Sequence, residues 1–122
     1  MIEKHKATLT DTSATQLVTF PTSTNLFYRL AGGIITNTSG SATVLYLKDI
    51  TTGDPSNSPD FHITINANST VILDEDELIR IFNGKREFLY TFVNGVRIVQ
   101  SATANLHITL LFDVTDTTAE DR

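Results

Sequence analysis

The residues with most chemistry to offer are three histidines, His5, His62 and His107, and an acidic run, Asp74-Glu75-Asp76-Glu77. Histidines that share a metal usually recur at i,i+2 or i,i+4, and no pair here has either spacing. There is no Glu-x-x-His either. His5 lies in a polar N-terminal stretch, and the alternation around His62 and His107 places both on solvent faces of strands. The acidic run, together with Asp49, Asp54 and Asp60, could offer oxygens to Ca²⁺ at loop tips. Calcium takes about six to eight oxygens, and the spacing and central glycine of an EF-hand loop are missing, so solvated acidic turns are the expectation. Asn37-Thr38-Ser39 and Asn68-Ser69-Thr70 match the glycosylation sequon and are read as turn chemistry.

Other routes to catalysis find no residues. The chain has no cysteine, hence no thiolate, disulfide or Cys-based zinc site. Asn83-Gly84-Lys85 is a lone Gly-Lys without the glycine-rich approach of a phosphate loop. Sugar recognition by stacking wants exposed aromatics, but there is no Trp. Tyr28, Tyr46 and Tyr90 sit in strand patterns, where half-buried packing with the hydroxyl at the rim is expected. The chain therefore reads as non-enzymatic, with no catalytic, cofactor-binding or metal-ligating residue assigned and no cofactor or small-molecule substrate expected.

Charge and hydropathy exclude further partners. The net charge is −5, and Lys85-Arg86 is the only adjacent basic pair. Such a surface repels phosphate, so nucleic acid is not an expected partner. No apolar run approaches the ~20 residues of a membrane-spanning helix. Met1 leads into Glu3, Lys4, His5 and Lys6, so no secretory signal is expected, and the missing cysteines favour production in the cytoplasm.

What must position these residues is a set of short strands. Threonine fills 20 of 122 positions, and with Val and Ile it gives the chain a strong preference for pleated surface. Residues 1–14 read as an arm, ordered only if something receives it, and the domain is expected to fold without it. Strands are expected at 16–20, at 26–37 with a bulge or corner at Gly32-Gly33, and at 42–50, whose two apolar faces suggest a central place. Residues 51–60 form a surface loop. Phe61, Ile63 and Ile65 alternate cleanly, and a turn at 66–68 leads to residues 69–74. Residues 78–82 are ambiguous, because Asp76 could cap a helical turn or lead into a strand. A strand at 86–93 meets one at 96–100 across Asn94-Gly95, the strongest hairpin signal in the chain. The last strand carries Leu106, Ile108, Leu110 and Phe112 on one face, and residues 115–122 form an acidic, flexible tail. The sum is an all-β, jelly-roll-like sandwich of eight or nine mostly antiparallel strands over residues 15–114. Its expected core includes Leu17, Ile63, Ile65, Val71, Leu106, Ile108, Leu110 and Phe112.

Three segments, ITNTSGSATVLYL (35–47), HITINANSTVILD (62–74) and VNGVRIVQSATANLHITLLFDV (93–114), in this order after a strand ending in Pro21, resemble small β-sandwich proteins of tailed-phage virions. The resemblance implies a structural virion protein: a capsid decoration or cement protein, or alternatively a tail, neck or fibre component, with a glycan-binding module a more distant option. The implied partners are the major capsid protein and copies of the chain itself, naturally a homotrimer at local threefold positions. The implied location is the capsid surface of a particle assembled in the host cytoplasm.

Overall fold

The cleanest alternation in the chain builds the spine of the structure, a computed structural model that describes residues 1–20, 25–74, 76–78 and 91–116. Strand β9 (Leu106–Asp116) turns Leu106, Ile108, Leu110 and Phe112 inward, where all four are buried. On one side it pairs with β1 (Ile2–Leu9), and on the other with β3 (Leu26–Asn37). Beyond β3 lie β6 (Ser69–Leu73) and the two-residue β7 (Thr91–Phe92), which share its outer edge. The second sheet has the order β2 (Thr15–Thr19), β8 (Gly95–Gln100), β4 (Thr43–Lys48), β5 (Phe61–Ile65). All pairings are antiparallel. The two sheets close face to face over Leu30, Ile35, Ile108 and Phe112 from one and Leu45, Leu47, Ile65 and Ile98 from the other. This is a β-sandwich of nine described strands. Among them, β4 and β5 are the only consecutive pair that hydrogen-bond to each other, so the chain crosses between sheets almost continuously, as jelly rolls do.

The N-terminal stretch is not an arm. Residues 2–9 form a full strand that matches β9 through eight residue pairs, from Ile2 opposite Asp113 to Leu9 opposite Leu106. Its inward residues are Glu3, His5, Ala7 and Leu9, of which only Leu9 is a large apolar side chain; that is why the stretch reads as polar. The receiver is the chain's own last strand. The sandwich therefore begins at β1 rather than at residue 15, and it extends past 114, because Thr115 and Asp116 pair with Phe27 and Leu26.

Asn94-Gly95 is not a hairpin either. The strand before it joins β3 in one sheet, and the strand after it joins β2 and β4 in the other. Asp49 makes the difference: its carboxylate accepts from the backbone N–H of Val93 (3.0 Å), Asn94 (2.7 Å) and Gly95 (3.1 Å). A partner 45 residues away thus overrides the local turn preference. The expected strand at 86–93 is seen only as Thr91–Phe92, with 86–90 outside the described residues.

Two other expectations are refined. The Gly32-Gly33 step is a bulge, with the β3–β9 register shifting between Leu30 and Gly32. A Cβ on Gly33 would strike the Thr109 carbonyl oxygen, and one on Gly32 would sit 2.8 Å from that of Leu73, so both positions demand glycine. In β2 a register shift between Gln16 and Val18 sends Val18 fully inward and leaves Leu17 half-buried; Ile63 and Val71 likewise pack against the core from its margin. Of the ambiguous segment 78–82 only Leu78 is described, closing a helical turn at 76–78 that is capped by Asp74 rather than Asp76, with Asp74 Oδ1 accepting from Glu77 N at 2.7 Å; residues 79–82 lie outside the described residues.

Candidate functional site

The sequence-named acids are spent on loops. Asp49 holds the 93–95 crossover, and Asp60 Oδ2 accepts from Asp49 N at 2.8 Å. Asp54 Oδ1 takes both the N–H and the hydroxyl of Ser56, bonds that hold its carboxyl below the ordinary range. Arg97 and Lys48 pin the same loop by donating to the carbonyls of Gly53 (2.8 Å) and Asn57 (2.5 Å). His62 and His107 are exposed on outer sheet faces, far apart, while His5 is half-buried. Among the described residues no three His, Cys, Asp or Glu side chains converge as a metal site would require. Tyr28 is buried, Tyr46 is half-buried beside His62, and Tyr90 and the Asn83-Gly84-Lys85 segment lie outside the described residues.

The titratable cluster that does form involves an unremarkable part of the sequence. Glu3 and His5 point inward from β1 toward Tyr28 on β3. His5 Nε2 lies 2.9 Å from Glu3 Oε1, and the Tyr28 hydroxyl donates to the same oxygen at 3.0 Å. The His5 ring packs against Tyr28 and edge-on to Phe112, and Phe20 stacks on Tyr28 at 4.4 Å. The bond from His5 is the main cause holding the Glu3 carboxyl below its usual value, with Tyr28 adding to it. Burial, then the bond to Glu3, pushes the Tyr28 phenol from 10.0 up to about 12. With His5 Nε2 and the Tyr28 hydroxyl both bonded to one carboxylate oxygen, the cluster acts as a clasp between the edge strand and the interior.

Its pH signs are opposite. Glu3 contributes stability above its unfolded value and loses it as the pH falls through the lowered native value. Tyr28 contributes fully below pH 10.0 and loses its share as the pH rises toward about 12. A phenolate absorbance titration, with folding followed in parallel, is expected to show a tyrosine titrating near 12 that Glu3→Ala moves downward. A wild-type protein whose tyrosines all titrate near 10 would refute the clasp.

Two turns named in the sequence meet Asn105 at one end of the sandwich. Buried Asn37 donates through Nδ2 to the carbonyls of Ser41 (2.8 Å) and Asn66 (3.2 Å), and its Oδ1 accepts from Ser39 N (2.9 Å). Ser39 O accepts from Asn68 N at 2.9 Å and Ser39 Oγ from Asn105 N at 2.8 Å, while Thr38 N reaches Asn105 O at 3.1 Å. The first sequon is thus a buried hydrogen-bond hub, and Asn68 of the second takes a left-handed φ of 52° in a tight turn.

An ordered array of accessible side chains lies on the outer face of the β1-β9-β3-β6 sheet. Register lays it out in cross-strand rows: Thr8, His107, Thr36, Thr70; then Lys6, Thr109, Ile34, Ile72; then Lys4, Leu111, Gly32. A last row holds Ile2, Asp113, Arg29 and Thr91, where Arg29 pairs with Asp113 at 3.1 Å and the amino terminus reaches the same carboxylate at 3.3 Å. Ile34 and Ile72 are opposite each other and remain 49% and 63% exposed. Lys4, Lys6 and Arg29 face only one acid in these rows, on a chain of net charge −5. Periodic and partly apolar, this face is suited to contact with another macromolecule.

Fold and surface together define a β-sandwich that presents an extended sheet face. No protein-family model and no curated protein sequence matches the chain. Among solved structures it is similar to a chain from Bacillus endospore appendages, described as a novel family of disulfide-linked pili, at 12% identity and TM-score 0.47, covering 94% of this chain and 88% of that one. It is also similar to PirA, at 11% identity and TM-score 0.45, covering 89% and 91%. At these values neither neighbour lends its role to this chain.

Proposed function

We propose that the chain is a non-enzymatic structural protein of a tailed-phage virion, a decoration or cement protein on the outside of the mature head. The observation that carries this reading is the meeting of the three resembling segments in one hydrogen-bond hub: Asn37 to Ser41 from the first, Asn66 and Asn68 from the second, and Asn105 from the third. Segments scattered along the sequence act as a single structural unit, which is what a shared ancestral framework would leave behind. The mechanism is mass action. A protein that binds the assembled shell and not its free subunits lowers the free energy of the closed state, and many modest contacts sum over the particle.

The test is the composition and thermal release of purified particles that carry the chain. Hundreds of copies on the head, and loss of packaged DNA at a lower temperature from heads lacking them, are expected. About a dozen copies confined to the tail would transfer the protein to the tail or neck, and absence from the particle would overturn the proposal.

A further inference from the structure

The outer face of the β1-β9-β3-β6 sheet is complementary to itself. Its third row runs Lys4, Leu111, Gly32, and the exposed Asp74, one residue past the end of β6 at Leu73 opposite Gly33, is next in the alternation that turns Thr70 and Ile72 outward. The row is then a cation, a large apolar side chain, a position without a side chain, and an anion. Rotation by 180° about an axis parallel to the strands, between β9 and β3, reverses the row and turns it to face the original. Lys4 then meets Asp74, and Leu111 lies over the Gly32 backbone, each contact made twice. The next row reverses equally well: the alkyl stem of Lys6 lies over Ile72, and Ile34 over Thr109. Lys4 and Asp74 are both exposed, and aligned packing of two sheets is a standard arrangement of β structure.

We infer that a second copy of this chain covers this face in an isologous, two-fold dimer. Charge decides the occupant: Lys4 on the β1 edge and Asp74 past the β6 edge meet in both places only in a reversed copy, and the same rotation lays Asp113 of each copy over Arg29 of the other. Two-fold pairing is also the commonest closed symmetry. The four strands offer roughly 500 Å² per copy by strand spacing and rise, below the ~800 Å² of a standard interface, so association belongs to micromolar concentrations and above. The inference is independent of the virion role, since a dimer forms or fails whatever surface the protein decorates.

The test is sedimentation equilibrium of the full chain and its charge variants. Wild type is expected to dimerise reversibly. Lys4→Glu faces Asp74 with a like charge and Asp74→Lys faces Lys4 with one, so each alone should weaken association by about tenfold or more. Mixed one to one, the two variants make two opposite pairs and should associate nearly as well as wild type. Because Asp74 also caps the 76–78 turn, Ile72→Lys, which leaves the cap intact and opposes Lys6, provides an independent loss. Melting curves confirm that each variant is folded. Wild type monomeric at about 1 mM, a trimer, or a mixture no better than its components would overturn the proposal.

Discussion

Deleting residues 2–9 is expected to unfold the domain rather than trim it. The deletion removes Leu9 from the core and Ala7 from against it, and it exposes the flank of β9 along eight paired residues. It also leaves Tyr28 without the carboxylate that accepts its hydroxyl. Burial of one leucine contributes about 1.5–3 kcal/mol, and the lost ladder and clasp add to it. The total is a large share of the ~5–15 kcal/mol that keeps a domain folded. Circular dichroism is expected to show either no cooperative melt or a midpoint lower by more than about 15 °C. A truncated chain melting within a few degrees of the full chain would mean that β1 is a dispensable arm.

Phe112→Ala should be the costliest single substitution among the large core residues. Phe112 is fully buried where the clasp meets the core, with the rings of Phe92, Tyr28 and His5 all about 6 Å away. Its removal deletes a large apolar side chain and leaves a cavity that three rings on three different strands cannot fill together. Losses of this type run to about 3–5 kcal/mol. Denaturant unfolding with an unchanged m-value measures it directly, and a loss under about 1 kcal/mol would show that the rings collapse into the space.

The parts of this fold legible in the sequence are those where one strand carries its own pattern. Leu106 to Phe112 and Phe61 to Ile65 alternate without help, and the apolar character of both faces of β4 fits its central place. Gly32-Gly33 announces its bulge because close backbone approach leaves no alternative. Where a distant residue decides, the local pattern misleads. The inward face of β1 is polar because His5 is satisfied by Glu3, and Glu3 by His5 and by Tyr28, 25 residues away, so the strand resembles a tail. Asn94-Gly95 has every local feature of a hairpin turn and is diverted by Asp49. The sheet face is harder still to see. Lys6, Thr109, Ile34 and Ile72 become neighbours only through the register of four strands, and no window of sequence contains that row.

The pairing of β1 with β9 also sets an order of events during synthesis. β1 leaves the ribosome early, yet its partner lies about 100 residues further on, which takes roughly 5–20 s to translate. For that interval an eight-residue strand has no native neighbour, on a chain whose other segments are β-branched and ready to pair. Its composition suits the wait. Charges or a histidine occupy four consecutive positions, Glu3 to Lys6, and lysine on one face with glutamate on the other discourages pairing with the wrong edge from either side. The same residues that disguise β1 as a tail keep it unengaged until the last strand arrives.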